Sequence, residues 1–165
     1  MHKTIEPAIL YFGTPVVLIT TLNSDGTVNV APMSSIWWLG WSCMIGLDGS
    51  SKTVENLLRT KQCVLNLASS ELVNSVDQLA KTTGREKLPL HKKALGYSYV
   101  KDKLTIAGLT EQESEAVLPP RIMECSVQLE ATLEKTIPFA VNNPKMAIPS
   151  AAFELNIEKL SLIHI

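Results

Sequence analysis

The sequence has few cysteines, and their spacing excludes two classes of small cross-linked protein. Among 165 residues there are three, Cys43, Cys63 and Cys125, an odd number without a CxxC pair. A disulfide framework and a structural zinc site both need paired, closely spaced cysteines. Each of the three lies in an apolar run, so we predict buried thiols that act as small hydrophobic side chains, and no catalytic cysteine.

Charge of one sign is also lacking. The chain has 15 lysines and arginines against 16 aspartates and glutamates, a formal net charge of −1 and a pI near 6.3. Binding to nucleic acid or to anionic membranes depends on excess positive charge, so neither partner is expected. His2, His91 and His164 are isolated and lack ligand spacing, which predicts no metal site.

Long hydrophobic runs and targeting signals are missing as well. No apolar stretch approaches the roughly 20 residues that a membrane-spanning helix needs, and the N-terminus lacks the basic and apolar regions of a signal peptide. We therefore expect a cytoplasmic protein. No GxGxxG motif follows a strand, so a nicotinamide nucleotide is not expected to bind in a Rossmann pocket.

The length fits a single domain over residues 1–165, which can bury a core without disulfide or metal. The chain ends on the apolar run 162–165. This run resembles an interrupted strand more than a natural end, so we expect that part of the native C-terminus is missing.

Alternation of apolar and polar residues predicts a mainly β fold. Residues 16–22 and 27–31 flank a turn at 23–26 and predict a hairpin. The same pattern predicts strands over residues 42–47, 63–67, 123–134 and 153–164, the last with a bulge at Glu158-Lys159. In the strand over 123–134, the face that includes Gln128 and Glu130 is expected to meet water or a partner subunit.

Helical spacing is confined to two segments. Ser51 is the predicted N-cap of a helix that runs to about Arg59. Ser70 opens a second helix, predicted to end at Thr82-Thr83-Gly84 with glycine as the stop signal. Residues 85–118 and 138–149 are expected to form mainly loops, with a short helix and short strands in the first and the charged segment 91–93 in solvent. Many short strands and few helices favour an antiparallel β-barrel with helices at its edges.

Two polar segments predict a flavin-binding site. The segment Asn29-Val30-Ala31-Pro32-Met33-Ser34-Ser35 puts a proline and two hydroxyls at a strand end, where donors and acceptors can meet the edge of a flat heterocycle. The segment 50–56 places its hydroxyls and Lys52 at a helix N-terminus, which attracts phosphate. The alternatives are an ordinary solvated helix start and hydroxyls that bond to their own backbone.

The same segments resemble the flavin reductase-like family of FMN-binding split β-barrels, which includes flavoredoxins and the flavin-reducing components of two-component monooxygenases. The resemblance extends from about residue 10 to residue 84. It rests on residues 11–21 (YFGTPVVLITT), on residues 25–35 (DGTVNVAPMSS), on Ser51-Lys52-Thr53 with Asn56, and on residues 63–67 (CVLNL).

This resemblance implies a homodimer with FMN in a groove at the subunit interface and a redox role. By position, residues 29–35 would contact the isoalloxazine ring, and Ser51, Lys52, Thr53 and Asn56 would contact the phosphate and ribityl chain. NADH or NADPH would give a hydride to flavin N5, and the electrons would pass to an acceptor or a partner oxygenase. The alternative is a non-catalytic FMN-binding or electron-carrier protein, similar to flavoredoxin.

Two further groups have two interpretations each. Thr83, Gly84 and Arg85 either place hydroxyls and a cation over the exposed flavin face, to receive a substrate or nucleotide phosphate, or only cap the second helix. The three tryptophans, Trp37, Trp38 and Trp41, form either a stacking wall for flavin or nicotinamide, or barrel core and dimer contact.

Overall fold

The computed structural model describes residues 13–146 and 148–163. Its elements in chain order are β1 (Val17–Leu22), β2 (Val28–Met33), β3 (Ile36–Leu39), β4 (Ser42–Asp48), α1 (Lys52–Thr60), β5 (Gln62–Leu67), a 3-10 turn (Ser70–Leu72), α2 (Val73–Ala80), β6 (Thr82–Thr83), α3 (Leu90–Ala94), β7 (Ser98–Tyr99), α4 (Lys103–Ala107), β8 (Glu111–Gln112), β9 (Arg121–Ile122), β10 (Val127–Phe139) and β11 (Ser150–Leu162). None of the helices in these two ranges is long and apolar enough to cross a membrane. Several residues named in the sequence analysis lie outside the described residues. They are His2, His164, the first two residues of the 11–21 segment (Tyr11 and Phe12) and the end of the terminal apolar run.

Seven strands form one antiparallel sheet in the order β2-β1-β5-β10-β11-β4-β3. The two edge strands of this sheet, β2 and β3, follow each other in the chain with only Ser34 and Ser35 between them. Such a connection spans at most about 11 Å. The sheet must therefore curl until its first and last strands approach each other, which forms a barrel that is split between β2 and β3. The Ser34–Ser35 connection, part of the predicted ring-binding segment, lies at this split.

Two apolar clusters lie on opposite faces of this sheet. Successive residues of β1 point to opposite sides, so Val17 and Ile19 enter one cluster and Leu18 enters the other. The first cluster, the barrel interior, also includes Val54 and Leu57 of α1. The second lies beneath α2 and α4 and consists of Leu18, Val30, Leu79, Leu104, Ala107, Leu109, Ile122 and Cys125. All three cysteines are buried, as predicted, and burial raises the pKa of the Cys43 and Cys125 thiols to about 12.

Several local predictions are confirmed. Strands β1 and β2 form the predicted hairpin, and Ser51 caps α1. The predicted bulge in the last strand is present as well. Glu130 pairs with Lys159 and Ala131 with Ile157, which leaves Glu158 as the extra residue on β11.

The predicted second helix begins at Ser70 as predicted but ends before the predicted stop. It begins as the 3-10 turn, and α2 ends at Ala80, so Gly84 is not its stop signal. Thr82 and Thr83 instead form β6, which pairs in parallel with Ser98 and Tyr99 of β7. Threonine favours extended structure, but the partner strand is distant in the chain and local spacing does not reveal it. Strand β3 was not predicted either, and residues 85–118 contain two short helices instead of one.

The polar face of β10 is buried at Gln128 and Glu130, contrary to the prediction, while Glu134 further along is exposed as predicted, and the strand begins at Val127 instead of residue 123. Gln128 is 4% exposed and Glu130 is 0% exposed. The Glu130 carboxylate accepts hydrogen bonds from the backbone N–H groups at positions 115, 116 and 117 and lies 3.7 Å from Arg121 Nε. The segment before β9 therefore covers this face, and its N–H groups replace the water that the carboxylate loses.

We expect Glu130→Ala to lower the free energy of unfolding by roughly 3 kcal/mol, because three backbone N–H groups and Arg121 lose a buried acceptor. Urea denaturation followed by tryptophan fluorescence measures the change. Glu134→Ala is the matched control, since this carboxylate is exposed on the same strand and, among residues 13–146 and 148–163, accepts from Asn156 alone. It should cost less than about 1 kcal/mol. Equal losses in the two variants would contradict the role assigned to Glu130.

Candidate functional site

The start of α1 leaves backbone donors available. Ser51 is extended (φ −73°, ψ 155°), and its Oγ accepts a hydrogen bond from the N–H of Val54 at 3.1 Å. The carbonyl of Ser51 accepts from the N–H of Glu55 at 3.2 Å. The first N–H groups of a helix have no partner within it, so those of Lys52 and Thr53 remain available to a ligand.

Asn29 joins β2 to this helix start. Its Nδ2 donates to Thr53 Oγ1 and to Thr21 Oγ1, each at 3.3 Å. Asn29 is 2% exposed, and within the described residues its Oδ1 has no hydrogen-bond partner. A buried amide oxygen without a donor costs free energy. This atom therefore marks a position where a donor from a ligand would be stabilising.

The turn at residues 83–85 approaches the same place. A Cβ at Gly84 would lie 2.5 Å from Asn29 Oδ1 and 3.0 Å from Lys52 Cγ, so this close approach requires glycine. Thr83 is 3% exposed, and its Oγ1 accepts from the N–H of Arg85 at 3.2 Å. The structure thus brings together the three segments that the sequence singled out, residues 29–35, 51–56 and 83–85.

Two cations in this area share one carboxylate. Glu55 Oε1 lies 2.6 Å from Lys52 Nζ, and Glu55 Oε2 lies 3.0 Å from Arg85 Nη2. The hydrogen bond from Lys52 and the neighbouring positive charges lower the pKa of Glu55, against a smaller opposing effect of burial. Lys52, which was expected to face a phosphate, is therefore engaged by Glu55, and the backbone N–H groups are the donors that stay available.

The remaining predicted site residues differ in how far they are exposed to a ligand. Ala31, Pro32, Met33, Ser34 and Ser35 are half-buried along the end of β2 and the split.

Val30 and Asn56 are both fully buried. Val30 belongs to the second apolar cluster, so its side chain faces away from a surface ligand. Asn56 Nδ2 donates to Thr21 Oγ1 at 3.1 Å and to Asn23 Oδ1 at 2.8 Å. Asn56 thus fastens α1 to the β1–β2 hairpin, and its buried Oδ1, like that of Asn29, has no hydrogen-bond partner within the described residues.

His91 and Lys92 are residues that the sequence analysis missed. The segment 91–93 was expected in solvent, which is wrong for these two and holds for Lys93. His91 Nε2 lies 3.1 Å and Lys92 Nζ 3.2 Å from Asp48 Oδ2, and the carbonyl of Asp48 accepts from the N–H of Ser51. Burial raises the pKa of Asp48, but hydrogen bonds from Ser50 and His91 and the charge of Lys92 outweigh it and lower the value. The α3 segment is thereby anchored beside the α1 start.

Lys103 is the third missed residue. It is 3% exposed, and its Nζ donates to the carbonyl of Val30 at 3.0 Å. Burial, together with the charge of Lys92, lowers the pKa of Lys103 to about 8. The only signal in the sequence was Asp102, which caps α4 by accepting from the N–H of Thr105. Nothing in the local pattern indicated that the lysine itself reaches β2.

The tryptophans near the split do not share one environment. Trp37 is 55% exposed and Trp41 is 65% exposed, while Trp38 packs partly against the barrel interior. Leu39 between them is 76% exposed. The core interpretation therefore holds for Trp38 alone, and the other three side chains form an apolar surface that we call the Trp37–Trp41 surface.

The sequence of this chain is similar to those of known proteins. The sequence model of the flavin reductase like domain matches residues 9–143. The YdfE protein of Bacillus subtilis is 43% identical over 132 residues, which cover 80% of this chain and 64% of YdfE. The chain thus spans less than two thirds of the length of this relative.

Solved structures share the fold. Flavoredoxin of Desulfovibrio vulgaris (Miyazaki F) matches with a TM-score of 0.77 at 18% identity, over 99% of this chain and 78% of the flavoredoxin. Nitrilotriacetate monooxygenase component B from Bacillus cereus matches with a TM-score of 0.74 at 17% identity, over 99% of this chain and 83% of that protein. At this identity the likeness concerns the fold, and it confirms the predicted mainly β, antiparallel split barrel.

We expect Lys103 to make stability depend on pH. Its pKa of about 8 in the folded protein lies below the ordinary 10.5, so the unfolded chain binds this proton more tightly than the folded one. Stability should therefore rise from pH 8 to pH 10.5 by up to about 3 kcal/mol. Lys103→Met should remove this part of the rise, and Lys93→Met, an exposed neighbour, should not. Urea denaturation across this pH range measures both, and equal pH profiles would contradict the assignment.

Proposed function

The chain belongs to the flavin reductase-like domain family, and we propose that it is an FMN-binding oxidoreductase of the flavin reductase type. In this proposal, NADH or NADPH gives a hydride to flavin N5, and the electrons pass to an acceptor or to a partner oxygenase. The observation that supports it most directly is the meeting of β2, the α1 start and the 83–85 turn around Asn29 Oδ1, which has no hydrogen-bond partner in the described part of the chain.

The phosphate of the cofactor would bind at the α1 start. The N–H groups of Lys52 and Thr53 stand at the positive end of the helix dipole, where an anion is stabilised. Thr53 Oγ1 accepts from Asn29, which leaves its hydroxyl hydrogen to donate to a phosphate oxygen. Lys92, anchored on Asp48 next to the Ser51 cap, adds positive charge on the same side.

The ring would lie along the split. Residues 31–35 border it with half-buried backbone and two hydroxyls, and we assign Ser34 a hydrogen bond near flavin N5 or O4. Lys103 fixes the backbone of this strand from behind through the Val30 carbonyl. When bound, the flavin accepts the hydride and supplies the redox chemistry, while the protein orients it and sets the local electrostatics.

Hydride transfer requires no side chain as general acid or base at this site. In the part of the chain that the structure describes, all three cysteines are buried. The 83–85 turn is the candidate for holding the second substrate. Gly84 would act through its backbone and Arg85 through the guanidinium that now pairs with Glu55, while Thr83 would hold the turn through the bond that its Oγ1 accepts from the N–H of Arg85.

A second candidate function is a non-catalytic FMN-binding electron carrier. The fold likeness to a flavoredoxin favours it, whereas the likeness to nitrilotriacetate monooxygenase component B favours a protein that works with a partner oxygenase. The two functions differ in one measurable property, which is reduction of the bound flavin by NADH or NADPH.

We further propose a homodimer with the flavin at the subunit interface. The Trp37–Trp41 surface directly follows the Ser34–Ser35 connection, so an apolar exposed patch adjoins the proposed ring site. Exposed aromatic side chains of this size are typical of interface cores. A second copy that covers this surface would also shield one side of the flavin from water.

We expect the flavin bands of FMN to shift on titration with the protein and to bleach when NADH or NADPH is added without oxygen. Visible absorption in one cuvette measures both steps. Bands that shift but do not bleach would favour the carrier, and an unchanged spectrum would contradict flavin binding.

The double variant Lys52→Ala/Thr53→Ala should weaken FMN binding by roughly threefold to tenfold, because the hydroxyl donor and one positive charge are lost while the backbone N–H donors remain. Lys93→Ala/Thr60→Ala is the control of matched composition away from the site. Circular dichroism verifies that the fold is retained in each variant. Unchanged affinity in the first variant would contradict the phosphate assignment.

If the protein is a homodimer, analytical ultracentrifugation of the wild type should give the mass of two chains. Trp37→Glu should shift the protein towards the monomer, because a charge would be buried in an apolar interface. Leu90→Glu introduces the same charge at a side chain that is 86% exposed in α3 and should leave the dimer intact. A wild-type protein that sediments as a monomer at micromolar concentration would contradict the proposal.

A further inference from the structure

A polar cavity of about 270 Å³ adjoins the α1 start. One wall is the β1–β2 turn with Asn23, Ser24, Asp25 and Thr27, and another is the first turn of α1 with Lys52 and Glu55. The remaining lining residues come from two short segments, 84–87 and 99–101. Because Lys52 belongs both to this cavity and to the proposed phosphate site, the two are neighbours.

The third wall of the cavity is built by the small parallel sheet of β6 and β7. Thr83 pairs with Tyr99, so both strands end at the cavity. Gly84 and Arg85 directly follow β6, and Lys101 lies two residues after the end of β7. Tyr99 lines the cavity and is 40% exposed, which offers a ring face for stacking.

The cavity has four cationic side chains and three carboxylates, but most of the carboxylates are already engaged. Glu55 is shared by Lys52 and Arg85. Asp25 Oδ1 accepts from the N–H and the Oγ1 of Thr27 and thereby closes its own turn.

The cations of the 84–87 and 99–101 segments are less engaged. Lys87 forms no ion pair within the described ranges, and Lys101 acts on Asp25 only through its charge, which contributes to the lowered pKa of that carboxyl after the hydrogen bonds from Thr27. Four cations against three carboxylates leave one net positive charge on the cavity lining for a ligand, and neither Lys87 nor Lys101 is held in an ion pair within the described ranges. The buried Nε of Arg85 likewise has no partner within these ranges.

We propose that this cavity binds the adenosine 5′-phosphate end of a dinucleotide. Lys87 and Lys101 would bind the phosphate through charge-assisted hydrogen bonds, and Tyr99 would stack on the adenine. The cavity is slightly smaller than the roughly 300–1,000 Å³ of sites for whole drug-sized ligands, so it suits one half of a dinucleotide whose other half lies beyond Lys52.

This assignment rests on the proposed function in one respect, since it takes the α1 start as the neighbouring phosphate site. Two dinucleotides share the required end, flavin adenine dinucleotide (FAD) and the pyridine nucleotide NADH or NADPH. In the first case the cavity extends the flavin site, and the protein prefers FAD over FMN. In the second case it holds the far end of the hydride donor.

The test compares the wild-type protein with Lys87→Ala/Lys101→Ala. The control, Lys93→Ala/Lys135→Ala, removes the same charge from two exposed positions outside the cavity. Calorimetric titration with adenosine 5′-monophosphate requires no flavin. We expect binding to the wild type and to the control, and at least a tenfold loss in the cavity variant. No binding to the wild type, or equal binding to all three proteins, would overturn the proposal.

Two further measurements identify the source of the bound group. If it is the flavin, the wild type binds FAD at least tenfold more tightly than FMN, and the cavity variant loses this difference while its FMN affinity changes less than twofold. If it is the pyridine nucleotide, FAD and FMN bind equally, and the variant raises KM for NADH or NADPH with kcat unchanged. If neither of these two changes is observed, the dinucleotide assignment is overturned, even if the monophosphate binds.

The outcomes also separate this proposal from the proposed function. If FMN does not bind but adenosine 5′-monophosphate does, in a manner that depends on Lys87 and Lys101, the flavin assignment fails and the cavity assignment stands. If FMN binds and is reduced while the monophosphate does not bind, the reverse holds.

Discussion

The arrangement of the barrel depends on the two-residue connection between β2 and β3. These strands are the two edges of one seven-stranded sheet, and Ser34 and Ser35 alone join them. The sheet must curl to bring its edges together, and the contact stays open because the edges are linked by chain and not by a ladder of hydrogen bonds. The backbone groups of an open edge are available to a ligand, which explains why the proposed ring site lies there.

The second condition for the site is the position of α1. Val54 and Leu57 hold the helix on the barrel interior. The amide of Asn29 donates to Thr53 of the helix and to Thr21 of β1, and Asn56 of the helix also donates to Thr21. With the axis of the helix fixed in this way, its N-terminus lies next to the end of β2. A phosphate and a ring of one ligand can then be bound by two elements that are more than 15 residues apart in the chain.

The long segment between α2 and β10 completes the surroundings of the site. It contributes Gly84 against Asn29, His91 and Lys92 on Asp48, and Lys103 on the Val30 carbonyl. Further along, its N–H groups satisfy the buried carboxylate of Glu130. Most of these contacts are polar and involve the backbone or a charge, so they fix geometry without an extensive apolar core of their own.

The sequence by itself determined the β1–β2 hairpin, the Ser51 cap, the bulge at Glu158, the buried cysteines and the three segments of the candidate site. Each of these depends on residues within a few positions of one another, where turn preference, capping and period-two alternation act. Only the tertiary structure decided that Glu130 is buried, that Thr82 and Thr83 form a strand, that Asn56 lies beneath the site, and that Lys92 and Lys103 join it. These features depend on partners between 13 and 73 residues away, and no local pattern specifies which distant backbone group will satisfy a charge.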